Sequence, residues 1–134
     1  MINKTAKLEK VAAILVSLMI LLQAFYGVFA YYDPILFATV RGTGLFAIAD
    51  ADWIAIYGSR TIFISLIIGY LLYSKHYVVL MWCALFGIVM PLTDGWLAYE
   101  AQAPNKVVLK HIATVLYLLV TFAVLKKLAG LKNV

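Results

Sequence analysis

Four long apolar runs, at residues 11–30, 54–73, 77–98 and 107–125, alternate with short stretches that hold nearly all the charge. Each run is close to the roughly 20 residues that carry an α-helix across a ~30 Å hydrocarbon core. Lipid offers no partner to backbone N–H and C=O groups, so open strands are excluded there. The runs are also too long and unbroken for barrel strands. The pattern predicts one all-α domain over residues 1–134, a polytopic membrane four-helix bundle. The first run follows Lys4, Lys7 and Lys10 and ends at Val28-Phe29-Ala30, in the manner of a signal peptide. Its apolar stretch exceeds a usual signal core, so it is read as helix one.

The connections are unequal. Residues 74–76 make a tight hairpin, and residues 99–106 make a short loop in which Pro104 and Asn105 start helix four. Residues 31–53 are much longer than a usual connection and too apolar for disorder. There Asp33-Pro34 reads as N-cap and first helical residue, residues 35–41 as two turns, and Gly42 as the stop. The expected product is a short interfacial helix at the outer membrane surface. Asp50 and Asp52 are expected to cap helix two, whose positive dipole end favours carboxylates. Gly58, Ser65 and Gly69 share one stripe of helix two. Ala84, Gly87 and Pro91 share one of helix three, with Asp94 on the same face. Small residues permit close helix approach in lipid, and Pro91 should kink helix three about a turn before Asp94.

Composition agrees with a membrane class. Residues are 66% hydrophobic and 13% charged, against about half and a quarter in soluble domains. The net charge of +5 is read as a topology signal. Lys4, Lys7, Lys10, Lys75, Lys126, Lys127 and Lys132 fall on the side of the termini, and only Arg41, Lys106 and Lys110 on the other. Basic residues stay inside, which puts both termini in the cytoplasm. A nucleic-acid partner would need a basic face with readable motifs, and none is present. Cys83 alone cannot close an internal disulfide and reads as a small buried hydrophobe. His76 and His111 lie on opposite sides and cannot share a metal. No metal, haem or other cofactor motif is found. Phe29, Tyr31, Tyr32, Trp53, Trp96 and Tyr99 at one interface, with Tyr73, Tyr77 and Trp82 at the other, read as anchors.

The candidate chemistry is a set of polar residues in costly places. Gln23, Arg60, Asp94 and His111 each come from a different span, all roughly 6–10 Å below the outer boundary at 1.5 Å rise per residue. A central Arg or Asp costs about 2.5–3.5 kcal/mol to insert, less toward the interface. Turned inward, Arg60 and Asp94 can neutralise one another while Gln23 and His111 complete a hydrogen-bonded set. Tyr26, Tyr57 and Thr114 lie on the same helical faces, and Lys110 and Glu100 at the rim. Arg60 is suited to a carboxylate, phosphate or enolate oxygen. Asp94 with His111 makes an acid/base couple near neutral pH. Phe25, Phe63 and Trp96 are expected to form an apolar wall, and the long loop a lid. No convincing nucleophile adjoins the site. The plainer reading is an Arg–Asp clamp that only fixes helix register.

At Gly58-Ser59-Arg60, followed by Ser65 and Gly69, the chain resembles the DoxX-like group of small four-span bacterial membrane proteins. The resemblance implies a four-helix fold in a bacterial inner membrane and carries over Arg60 alone. Some members look like membrane subunits of redox or quinone-linked systems; the lack of a cysteine pair here weighs against a thiol-redox role. Three functions are therefore in view. The first is a pocket that binds, and acts on, a small lipophilic molecule with an anionic or carbonyl head, with catalytic Asp94 and His111 and ligand-binding Gln23, Tyr26, Tyr57, Arg60 and Thr114. The second is a transporter or channel subunit working as a homo-oligomer. The third is a non-catalytic accessory subunit of a membrane complex. Membrane lipid is a partner in all three.

Overall fold

The computed structural model describes residues 2–45 and 47–132, and among these every regular element is helical. The elements are α1 (Ile2–Tyr32), α2 (Pro34–Arg41), a single 3-10 turn (Ile48–Asp50), α3 (Ala51–Tyr73), α4 (Tyr77–Phe86), α5 (Val89–Glu100) and α6 (Asn105–Lys132). Among the described residues four stretches are long and apolar enough to cross a membrane: Lys4–Tyr32, Ile48–Tyr73, Tyr77–Glu100 and Asn105–Leu131. Large side chains such as Leu21, Phe25, Val28, Phe63, Leu66 and Leu116 face outward from them. A soluble protein does not present apolar surface on this scale. The fold is that of an integral membrane protein.

The helices pack as two pairs. Helix α1 lies along α3, and α6 lies along α4 and α5; α1 and α6 then join the pairs. Between α1 and α3 the backbones nearly touch. A Cβ added at Gly58 would lie 2.9 Å from the Gly27 carbonyl, so the small-residue stripe is a contact surface. At the end that holds the chain termini, Ala12, Val16, Tyr77, Leu80, Ala84, Leu125 and Leu128 form a closed apolar core.

The third span is interrupted. Proline 91 has no N–H to give the Gly87 carbonyl, which instead accepts from Met90 at 3.2 Å. The helix breaks at Gly87 and Ile88, one turn before Pro91, and resumes as α5. The interruption thus lies about one turn earlier than the kink expected a turn before Asp94, and α5 carries Asp94.

The first loop folds as its sequence predicts up to Gly42. The Asp33 side chain accepts from Leu36 N at 2.9 Å, Pro34 opens α2, and Gly42 ends it in the left-handed region at φ +92°. Helix α2 does more than rest on a surface. It buries Phe37 and Ala38 and wedges its C-terminal end between the two helix pairs. Asp50 differs from expectation. Its carboxylate accepts from Ala47 N at 3.0 Å and makes no side-chain cap on α3, so it shapes the loop ahead of the helix. Asp52 does lie in the first turn of α3.

Candidate functional site

The C-terminal end of α2 has four carbonyls with no partner inside the helix. Each finds one. Ala38 O accepts from Thr43 N and Thr39 O from Gly42 N, both at 3.1 Å, through the glycine turn. Val40 O accepts from Lys110 Nζ at 2.7 Å. Arg41 O faces His111 Nε2 at 3.4 Å; that nitrogen must carry the proton, because a carbonyl only accepts. Two adjacent residues of α6 thus finish a cap that the loop backbone starts. The lysine charge also suits the negative end of the α2 dipole.

Arg41 is the centre of the cluster. It follows Phe37 by four residues and Ala38 by three, so the face that buries those two also turns Arg41 inward. Its guanidinium forms an ion pair with Asp94 of α5. It also lies 5.5 Å from the Tyr26 ring centroid and 5.4 Å from that of Tyr57, within cation–π range of both. Helices α1, α2, α3 and α5 therefore meet at one side chain.

Around this cluster is a chamber of about 130 Å³, lined by Leu22, Gln23, Tyr26, Arg41, Tyr57, Met90, Pro91, Asp94, Lys110, His111 and Thr114. Of the residues singled out in the sequence, Gln23, Tyr26, Tyr57, Asp94, His111 and Thr114 meet here. Arg60 does not. It is exposed on the outer face of α3 and does not line the chamber. Its expected partner Asp94 is taken by Arg41. The helical screw accounts for this: Gly58, Thr61 and Ser65 are the buried stripe of α3, and Arg60 lies about 100° off Thr61. The expected apolar wall is also displaced. Phe25, Phe63 and Trp96 point outward, and Leu22, Met90 and Pro91 take their place. Thr114 lines the chamber while its hydroxyl bonds back to Lys110 O at 3.0 Å. Among the described residues no hydrogen bond or ion pair joins Asp94 to His111.

Two further cavities adjoin the chamber. One of about 380 Å³ shares Arg41, Tyr57 and Asp94 with it and extends past Thr43, Asp50 and Trp53 toward the α2 end of the bundle. The other, about 420 Å³, shares Leu22, Lys110 and Thr114 and lies between α1 and α6. Among the described residues no group of three or more metal-binding side chains converges.

Sequence reasoning missed Arg41 as a chamber residue because it counted as a loop cation. The signal was there: an Arg three and four residues after apolar positions in a short capped helix. Fold and cluster together define a small membrane-spanning helical protein with a charged chamber near one end of its bundle. A family model described as a domain of unknown function, DUF4267, matches residues 20–125, and the chain belongs to that family. The matched stretch contains every residue lining the chamber. The family match does not confirm the DoxX-like resemblance. No curated protein and no solved structure matches the chain.

Proposed function

We propose that this protein binds a small membrane-soluble molecule through an anionic or carbonyl-bearing head seated in the chamber of Gln23, Tyr26, Arg41, Tyr57, Asp94, Lys110 and His111. The observation that carries this reading is the charge balance of a partly open, mostly shielded chamber. Arg41 and Lys110 contribute two cations to the chamber and Asp94 one anion. The surplus positive charge is offset only in part by the α2 dipole, and an anionic head would complete the neutralisation. Pockets of this kind are apolar with a few convergent polar groups, and Leu22, Met90 and Pro91 provide the apolar part.

The reading is one of binding rather than turnover. Asp94 is engaged by Arg41, and the His111 ring by the Arg41 carbonyl. A conduit through a single chain fits less well. Between the chamber and the far end, Val16, Leu80, Leu118, Thr121 and Leu125 leave only about 20 Å³. The lysine asymmetry supports cytoplasmic termini and a chamber in the outer half of the membrane, and the DoxX-like resemblance supports a bacterial inner membrane as its location.

One observation favours a second reading, a structural clamp serving a membrane complex. Every charged contact in the chamber also holds α2: Asp94 to Arg41, Lys110 to Val40 O, and His111 to Arg41 O. Binding of a fluorescent long-chain carboxylate to the reconstituted protein separates the two. Arg41→Gln should weaken saturable binding by about tenfold or more, as expected for a lost charge-assisted contact. Gln23→Leu, which touches none of the clamp contacts, should weaken it by about threefold to tenfold. Arg60→Gln should leave it unchanged. Wild-type binding by a folded Gln23→Leu variant, together with no saturable binding dependent on Arg41, would leave the clamp as the function.

A further inference from the structure

We infer that the ligand is a single-chain lipophilic carboxylate drawn from the bilayer, whose hydrocarbon tail leaves the chamber through the groove between α1 and α6. This rests on the binding reading of the chamber and adds the ligand class and the route.

The groove is lined by Leu18, Met19, Leu22, Lys110, Ala113, Thr114 and Tyr117. Except for Lys110, Thr114 and the Tyr117 hydroxyl its walls are apolar, and its polar end is the end it shares with the chamber. Direction decides which cavity takes the tail. From the chamber, the groove runs back along α1 from Leu22 to Leu18 and forward along α6 from Lys110 to Tyr117. Both courses lead from the α2 end toward the middle of the bundle. A lipid chain with its head near an interface points the same way. The 380 Å³ cavity runs oppositely, toward Thr43, Asp50 and Trp53; Phe37, Ile54 and Leu97 make much of its wall apolar, but a tail in it would run toward the interface and away from the bilayer centre.

The groove has a floor. The Tyr117 hydroxyl donates to Leu15 O at 2.6 Å and ties α6 to α1 just below it. The lined stretch runs from Leu18 to Leu22 of α1, four residue steps or about 6 Å. It therefore holds the first methylenes of a chain, and the remainder lies in lipid. The outer rim is open, because Leu18 and Ala113 are exposed.

Charge and size fix the head. Lys110 is at the junction of groove and chamber, with one of its three ammonium N–H groups on Val40 O. Arg41 lies deeper, between its two tyrosines. A head entering from the groove meets Lys110 first and Arg41 next. A carboxylate fits a chamber of about 130 Å³, and the α1–α6 groove that adjoins it offers a path for one chain.

The test uses the full chain in lipid nanodiscs and a fatty acid carrying a diazirine on its chain. Photolabelling should saturate, map to Leu18, Leu22, Ala113 or Tyr117, and be competed by the unlabelled acid but not by its methyl ester. Ala113→Trp, which fills the groove from an exposed position, should cut labelling about tenfold; Leu116→Trp, on the neighbouring face of α6, should not. Saturable labelling that maps to Leu45, Trp53 or Leu97, or that persists in Ala113→Trp, overturns the route while the chamber reading stands. Equal competition by the ester overturns the carboxylate assignment. Labelling that never saturates in the wild type overturns route and chamber reading together.

Discussion

Arg41, the last residue of the short helix in the first loop, forms an ion pair with Asp94 in the third span. Their side chains retain 13% and 25% exposure, so the pair is mostly shielded without being sealed. Breaking a shielded pair by removing one partner leaves an uncompensated charge, while removing both does not. Arg41→Gln and Asp94→Asn should therefore each destabilise the protein by about 1–3 kcal/mol, read as a lower thermal midpoint in detergent. The double variant should lose less than the sum. A double-mutant cycle reads the coupling, expected at about 0.5–3 kcal/mol. Simple additivity would mean that the two charges do not depend on one another.

Arg60 is predicted to be dispensable. It is exposed on the lipid side of α3 and does not reach the chamber. A charge among lipid tails costs free energy even when it snorkels. Arg60→Leu should keep the thermal midpoint at or above the wild-type value and leave carboxylate binding intact. A loss of binding in a folded Arg60→Leu protein would restore a role that the geometry does not give it.

The class of fold was legible in the sequence because lipid imposes a strong rule. Only helices long enough to span satisfy their own backbone, so runs of about 20 apolar residues leave little choice. The break before Pro91 and the α2 boundaries were legible for similar reasons, since Pro91, Asp33, Pro34 and Gly42 act locally. The depth of the polar set was legible too, and most of its members line one chamber. Rotation about the helix axis was not. Helix α3 is mostly apolar on all sides, so periodicity gives its inward face little contrast, and the cost of a buried charge alone does not fix which way Arg60 turns. Gly58, Thr61 and Ser65, the small residues, were the better guide to that face. The inward path of the first loop was also hidden. It depends on Lys110 and His111 completing a helix end some 70 residues earlier in the chain, and no local pattern encodes that.

The approach of α1 and α3 depends on two glycines. A Cβ at Gly58 would come within 2.9 Å of Gly27 O and 3.1 Å of both Ala30 Cβ and Tyr31 Cε2. Backbone cannot yield as a side-chain tip can, so Gly58→Ala should destabilise by about 1–3 kcal/mol. Gly69 is on the same stripe but has only Ile20 Cδ1 at 4.0 Å. There Gly69→Ala should be neutral or gain up to about 1 kcal/mol from helix propensity. Thermal unfolding of the two variants side by side checks the contrast. Equal losses would mean that propensity rather than contact sets the effect.

Topology can be checked by labelling. On a Cys83→Ala background, Lys7→Cys and Asn105→Cys flank an odd number of spans, three, and should react with an impermeant thiol reagent from opposite sides. The lysine asymmetry assigns Asn105→Cys to the outer side. Reaction of both from the same side would remove one span. Reaction of Lys7→Cys alone from outside would invert the bundle and place the chamber in the inner half.

Gly42→Ala tests whether the cap of α2 and the chamber are one structure. Gly42 has φ +92°, where a side chain costs about 1 kcal/mol or more. Space is the second obstacle. An added Cβ would be 2.9 Å from both Ala98 Cβ and Val107 Cγ1 and 3.1 Å from Ala103 Cβ. Those residues belong to α5, α6 and the loop between them, so the strain cannot be relieved by the turn alone; α2 must move away from the α5–α6 pair. That movement would pull Val40 O and Arg41 O from Lys110 and His111, and the Arg41 guanidinium from Asp94. Gly42→Ala should therefore destabilise the protein by about 2 kcal/mol or more, read as a lower thermal midpoint. It should speed hydrogen exchange across α2 while leaving exchange in α4 and the far half of α6 unchanged, because their core around Leu80, Leu125 and Leu128 lies at the other end. It should also weaken carboxylate binding about as much as Arg41→Gln, although Gly42 does not line the chamber. Faster exchange in α2 with wild-type binding would separate the two, and would show that the chamber does not need α2 in place.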